Sequence, residues 1–318
     1  MALNFIGCKK SGENSASSKS KINVVATIFP FYDWTKNISA GSEKINLELL
    51  VKNGVDLHSF QPSAGDIIKI SSCDVLIYVG GESDSWVDDV LKNPVNKNQK
   101  VIKLMEVLSD SVKEEEIVEG MVVTTDSTTE ETGSITEDDE IEYDEHVWLS
   151  LVNAKICCEK IAEVLATLDE NEKSIFEKNL SDYTAQIDGV WKSLFSAENI
   201  SENQNAIIIC DRFPFRYMVD ELGIKYFAAF AGCSAETEAS FETIAFLSGK
   251  VQELGLNRVY VTESSDKKIA RTVIKNAGLT ENECKIIVLN SMQNVTMAQA
   301  QNGISYIEIM KKNFEELK

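Results

Sequence analysis

Short, nearly continuous apolar runs alternate with amphipathic stretches of helix length, and this alternation most narrows what the chain can fold into. In the first half the runs are residues 22–28 (INVVATI), 45–51, 74–79 (DVLIYV) and 100–104. In the second they are 206–210 (AIIIC), 225–230, 258–262 (RVYVT) and 285–289 (KIIVL). They are rich in β-branched residues and too short for helices, and they lack the polar alternation of a half-wet strand, as parallel strands covered on both faces do. Helical patterns such as 64–72 and 240–254 separate them. The order predicts an α/β fold of two lobes, each with a mainly parallel sheet of about four strands. A chain of 318 residues with 43% hydrophobic content has the apolar material for two such cores.

Between the lobes, residues 149–197 carry apolar side chains at three and four spacing with no Pro. This predicts one long helix, or two helices broken near 168–172, acting as a stiff link that limits hinging. The expected organisation is an N-terminal tether (1–21), an N-terminal lobe (22–148), the linking helical region (149–197) and a C-terminal lobe (198–318). The start, MALNFIGCKKSGENSASSKSK, has a small residue before Cys8 and a polar tract after it, like a bacterial lipoprotein junction. The basic and apolar parts of a signal peptide do not precede it. Two readings stay open: a natural start upstream with a lipid anchor at Cys8, or an incidental cysteine.

Charge is concentrated. Of the formal −20, residues 111–145 contribute −13, from 14 acids against a single Lys113. A surface of this sign repels phosphate backbones, so nucleic acid is not an expected partner. The acidic segment is Thr-rich and aperiodic, which predicts a mobile loop; lying just before His146, it is placed to gather cations. No run of 18 or more apolar residues is present to span a membrane as a helix. The seven cysteines form no C-x-x-C pair, and buried free thiols are expected for most of them.

Only two histidines occur, His58 in GVDLHSFQPSAGDI and His146 in EYDEHVWLS. Neither lies on the apolar face of a regular element. His58 follows a predicted strand and precedes a predicted helix, at the carboxyl end of a sheet where α/β proteins bind ligands. Two imidazoles supply half of a tetrahedral zinc site, to be completed by carboxylate or thiolate. In the C-terminal half, Cys210 and Asp211 end the strand in AIIICDRFPFRY, and adjacent strand residues point to opposite sides, so one of them is expected to reach the cleft. The loops AAFAGCSAETEAS (228–240) and VLNSMQN (288–294) follow the next strands and converge on the same end.

TIFPFYDWTKNI, GVDLHSFQPSAGDI, EHVWLSLVNAKI and NGISYIEIMKKNFEEL together resemble the motifs of the zinc/manganese-type (cluster A-I) substrate-binding proteins of bacterial ABC importers. The likeness runs from about residue 22 to 318. It implies two (β/α)4-type lobes bridged by a long rigid helix, with a metal held between them. It also implies an extracytoplasmic, membrane-anchored or periplasmic monomer that binds Zn(II), or alternatively Mn(II), and delivers it to a permease and its ATPase without catalysis.

Carried over residue by residue, His58 and His146 match the two N-lobe ligands. The third position, His in zinc receptors and Glu in manganese receptors, falls at CDRF, on Cys210 or Asp211 depending on a one-residue gap. Asp211 is favoured, because DRFPFRY resembles a zinc-receptor subgroup with Asp there. The fourth, an Asp after the last strand in the family, is Asn290 here, which leaves room for water. Two imidazoles with one carboxylate suit Zn(II), and a thiolate from Cys210 would suit it further, whereas Mn(II) prefers more carboxylate oxygen.

Two other classes are less well supported. A zinc hydrolase would use Glu145 or Asp144 as general base, yet neither H-E-x-x-H nor a nucleophile elbow is present. A surface adhesin, a label some relatives have carried, has no motif of its own here.

Overall fold

The computed structural model describes residues 21–121, 142–195, 206–234 and 238–317. The tether with Cys8 and residues 122–141 of the acidic segment lie outside the described residues.

The N-terminal lobe runs β1 (Ile22–Ala26), α1 (Phe29–Ile38), β2 (Ile45–Leu49), α2 (Ala64–Ser72), β3 (Val75–Tyr78), α3 (Trp86–Leu91), β4 (Lys100–Lys103) and a short α4 (Leu104–Val107). Its four strands pair in the order β2-β1-β3-β4, every pair parallel. After the connecting helices, the C-terminal lobe runs β5 (Ala206–Phe213), α7 (Arg216–Leu222), β6 (Lys225–Ala231), α8 (Phe241–Glu253), β7 (Arg258–Thr262), α9 (Lys268–Asn276), β8 (Lys285–Leu289), α10 (Met297–Gln301) and α11 (Tyr306–Glu316). Its order, β6-β5-β7-β8, repeats that of the first lobe, again all parallel.

Strand alternation sorts each sheet into two apolar layers. Val25, Leu76 and Tyr78 pack with Ile70 of α2 and Val87 of α3, whereas Val24, Ala26, Val75 and Ile77 join a larger core on the other face. In the second lobe Ile208, Cys210, Val259 and Val261 pack under α8 and α9, and Ile207, Ile209 and Tyr260 face the larger core. That core is continuous between the lobes, taking in α1, α7, α11 and the connecting helices. An apolar seam of this extent resists wide hinge opening.

The connection is two helices rather than one bridging rod: α5 (Leu151–Leu168) and α6 (Lys173–Phe195). Asp169 adopts an extended backbone conformation that ends α5, and its side chain accepts from the Asn171 N–H to start the next turn. The helices then run antiparallel, with Lys155 near the start of α5 bonded to Asp188 near the end of α6 at 2.7 Å. The stiffness expected of a single helix resides instead in a packed hairpin, buttressed by α1 and α11 through Asp33, which accepts from the Tyr183 hydroxyl and the Tyr306 N–H.

Nor are the ends of the acidic segment a free loop. Glu114 and Tyr143 form an antiparallel bridge, the Glu115 N–H donates to the Glu142 carbonyl, and the Asp144 N–H donates to the Lys113 carbonyl. This two-stranded stem docks on the second lobe. The Lys113 N–H donates to the Tyr217 hydroxyl, Arg216 reaches the Glu114 carbonyl, and the Tyr226 hydroxyl donates to Glu116. Backbone pairing and neutralising partners order these residues despite a composition that favours disorder.

Candidate metal centre

His58 sits in a single 3-10 turn, Leu57–Ser59, between β2 and α2. The turn is anchored downstream by a reciprocal cap: Ser63 accepts from the Asp66 N–H, and Asp66 accepts from the Ser63 N–H. Upstream, Asp56 accepts from both the His58 N–H, at 3.0 Å, and the His58 ring Nδ1, at 2.8 Å. A carboxylate only accepts, so Nδ1 carries the proton and Nε2 is left as the lone-pair nitrogen.

His146 repeats the device. Asp144, again two residues earlier, accepts from the His146 N–H at 2.9 Å and from its Nδ1 at 2.8 Å. The ring is fully buried, with the Trp148 ring 5.3 Å away on one side. The neighbouring Glu145 is held from the VGGESDS turn, where the Ser83 N–H donates to it at 2.8 Å. Gly81 belongs to that turn because a Cβ there would lie 2.4 Å from the Glu145 side chain. VGGESDS is thus a strand-to-helix turn that packs behind a histidine. The same Asp-x-His clamp in two distant loops delivers two imidazoles face to face, their centroids 5.3 Å apart and their planes inclined by 23°. Both Nε2 atoms are buried without a hydrogen-bond partner.

The third candidate donor comes from the second lobe, in the loop after β6. Ligand atoms of His58, His146 and Cys233 all lie within 4.8 Å of one another. Bond lengths of ~2.0–2.3 Å in a tetrahedral zinc site separate ligand atoms by roughly 3.3–3.8 Å, so the three need close only by about 1 Å around an ion. Gly232 makes this approach possible: a Cβ there would meet the Phe213 carbonyl at 2.8 Å and the His146 ring at 3.1 Å.

Asp211 and Cys210 lie elsewhere. The Cys210 side chain is buried in the apolar layer under α8 and α9, and burial pushes its thiol pKa up. Asp211 accepts from the Thr262 hydroxyl at 2.9 Å. A register shift in β5 between Ile209 and Arg212 re-aims the strand end, as bulges do. Arg212 is the residue it turns to the first lobe, bonded to Asp56 at 2.7 Å. Asn290 closes its own turn by accepting from the Met292 N–H, while Gln293 from the same loop reaches His58 Nδ1 at 3.1 Å. Cys233, Asp56 and Gln293 escaped sequence reasoning as site residues. The repeated D-x-H spacing was the available signal for the clamps. For Cys233 the signal was a glycine-cysteine pair in a loop already expected to converge.

The site is electronegative. Burial alone would lower the His146 pKa, but the Asp144 hydrogen bond and the charges of Asp144, Glu115 and Glu145 raise it. Burial raises the Cys233 thiol strongly, and Glu115, Glu145 and Asp144 push in the same direction. Asp84, which accepts from the Val79 and Gly80 N–H groups behind Glu145, is raised to about 7 by burial. Burial would also raise Asp56, but its bond to His58 and the charges of His58 and Arg212 hold it well below the usual carboxylate range. Buried acids around two imidazoles and a thiol are the electrostatic complement of a cation.

Residues 24–318 match the family described as zinc-uptake complex component A, periplasmic. The chain belongs to that family. It is 28% identical over 320 residues to the zinc-binding lipoprotein AdcA of Streptococcus pneumoniae, covering 100% of this chain and 58% of AdcA. It is also 28% identical to the high-affinity zinc uptake system protein ZnuA of Bacillus subtilis, covering 97% of this chain and 90% of that one. The chain therefore spans little more than half the length of AdcA. Among solved structures, the Zn(II)-bound ZnuA-like domain of S. pneumoniae AdcA superposes with a TM-score of 0.68 at 27% identity, over 94% of this chain and 98% of that domain. The two-lobed, all-parallel architecture is that of this group.

Proposed function

We propose that the protein captures Zn(II) outside the cytoplasmic membrane and hands it to the permease of an ABC importer driven by its ATPase, performing no chemistry of its own. One observation carries the reading. Two imidazole Nε2 atoms are buried, face each other, and have no partner, within reach of a thiol. Each such orphan costs about 1–3 kcal/mol in the empty protein, a cost that a bound cation would remove. The names of AdcA and ZnuA support zinc as the cargo and uptake as the setting. A lipid anchor at Cys8 would hold the receptor at the membrane surface.

Two imidazoles and a thiolate also argue for zinc over manganese. Sulfur and nitrogen donors favour zinc, and the divalent series places Mn(II) lowest in affinity. On this reading His58, His146 and Cys233 bind the ion, and Asp56 and Asp144 orient the imidazoles, as carboxylates behind zinc-bound histidines do. On the same reading Asp211 and Cys210 do not bind the ion, since Asp211 is held by the Thr262 hydroxyl and Cys210 lies under α8 and α9. Calorimetric titration of the purified chain with Zn(II) and Mn(II) tests this. One-to-one zinc binding, much tighter than manganese and lost in His146→Ala, is expected; unchanged zinc binding in that variant refutes the site.

A further inference from the structure

We infer that Glu115, from the stem of the acidic segment, supplies the fourth ligand of the centre, a deepening that rests on the zinc reading above. Three neighbouring acids, Glu114, Glu115 and Glu116, lie on an extended stretch whose side chains alternate, with Glu114 and Glu116 exposed and Glu115 turned inward. One oxygen of Glu115, Oε1, accepts from the Gly232 N–H at 2.7 Å, in the backbone next to Cys233. Burial raises the pKa of this carboxylate, and the neighbouring His146 charge and Cys233 thiol act to lower it. Its other oxygen, Oε2, is buried with no hydrogen-bond partner.

A glutamate one residue from solvent-facing acids has no structural need to bury an unsatisfied oxygen, which carries a desolvation penalty. His58, His146 and Cys233 are the donors that already lie within 4.8 Å of one another among the described residues; drawn in around an ion, the Glu115 oxygen would complete a set of two nitrogens, one sulfur and one oxygen, a closed tetrahedral complement for Zn(II). Glu115 is held by the second lobe through Gly232, yet it belongs to the segment that leads directly to His146. The acidic segment would thus contribute a ligand as well as a field, and a thiol with a carboxylate would face the first lobe's histidines.

The test uses Glu115→Gln, which keeps an acceptor for Gly232, and Glu115→Ala, each measured for zinc affinity and for the Co(II)-substituted absorption spectrum. Both variants are expected to lose about 100-fold or more in zinc affinity, above the range of an outer partner. Their Co(II) d–d envelope should change while the thiolate-to-cobalt charge-transfer band persists. Weakened binding with an unaltered d–d envelope would overturn the assignment, because Glu115 would then act only through Cys233. Parental affinity and spectrum in both variants would also overturn it. If the parent chain itself takes up no zinc, the zinc reading fails as well. Parental binding beside unaffected variants would sink this inference alone.

Discussion

The two halves of the centre are built by opposite means. In the first lobe each histidine carries its own positioning group two residues upstream, Asp56 for His58 and Asp144 for His146, and each pair closes with two hydrogen bonds inside a tripeptide. In the second lobe Cys233 has no such local clamp among the described residues. Its loop is fixed by contacts with distant chain: Glu115 on Gly232, and the His146 ring filling the space beside that glycine. The first half is therefore positioned mainly by local hydrogen bonds, to which Gln293 and Arg212 of the second lobe add contacts on His58 and Asp56. The second half depends on contacts between distant segments, so if the protein carries zinc as proposed, the thiol side is the natural one to yield on release.

The sharpest way to break this comparison is to remove a locally clamped histidine. His58→Ala or His146→Ala is expected to lower zinc affinity by on the order of 1,000-fold, read by competition with a chromophoric chelator, because a structural-type site derives much of its free energy from each donor. Cys233→Ser should cost less, roughly 100-fold, and abolish the thiolate-to-cobalt band, while Cys210→Ser should leave metal binding as it was. If the Cys210 variant, and not the Cys233 variant, loses the band, the C-lobe half has been misplaced.

The clamps come next. Asp144→Asn and Asp56→Asn should each weaken zinc binding by about 10–100-fold. The loss should be larger at Asp144, because His58 Nδ1 keeps Gln293 as a second partner at 3.1 Å. Equal effects would show that Gln293 does not share the task.

The smallest effect concerns the scaffold behind His146. Asp84 has its pKa raised to about 7 in the folded chain, against 3.8 for an ordinary aspartate. Its contribution to stability is then fully present below pH ~3.8 and lost as pH rises through about 7. The metal-free protein should lose on the order of 2 kcal/mol from this group between pH 5 and 8. Asp84→Asn should flatten that part of the thermal-midpoint profile, and an identical slope in the variant would remove Asp84 as its source.

How much of this was legible follows the same division. The eight strands fall where continuous β-branched runs predict them, because burial on both faces leaves its mark in consecutive residues. The break at Asp169 lies within the predicted 168–172 interval, but the antiparallel packing of α5 on α6 does not follow from helical periodicity, which reports a buried face and not what covers it. Cys210 and Asp211 illustrate the limit. Strand alternation says that the two point opposite ways, yet which way each faces depends on the sheet's packing and on the bulge at Ile209–Arg212. Both side chains find partners within their own lobe, Cys210 under α8 and Asp211 on Thr262.

By itself the sequence determined the two parallel α/β lobes and the two histidine loops, because strand burial, helix capping and the Asp-x-His clamp act over a few residues. Only the tertiary structure decided which second-lobe side chain faces those histidines. Cys233 and Glu115 lie 118 residues apart in the chain, and they meet because a short stem from one lobe docks on the loop after β6 of the other, a contact that no local pattern records.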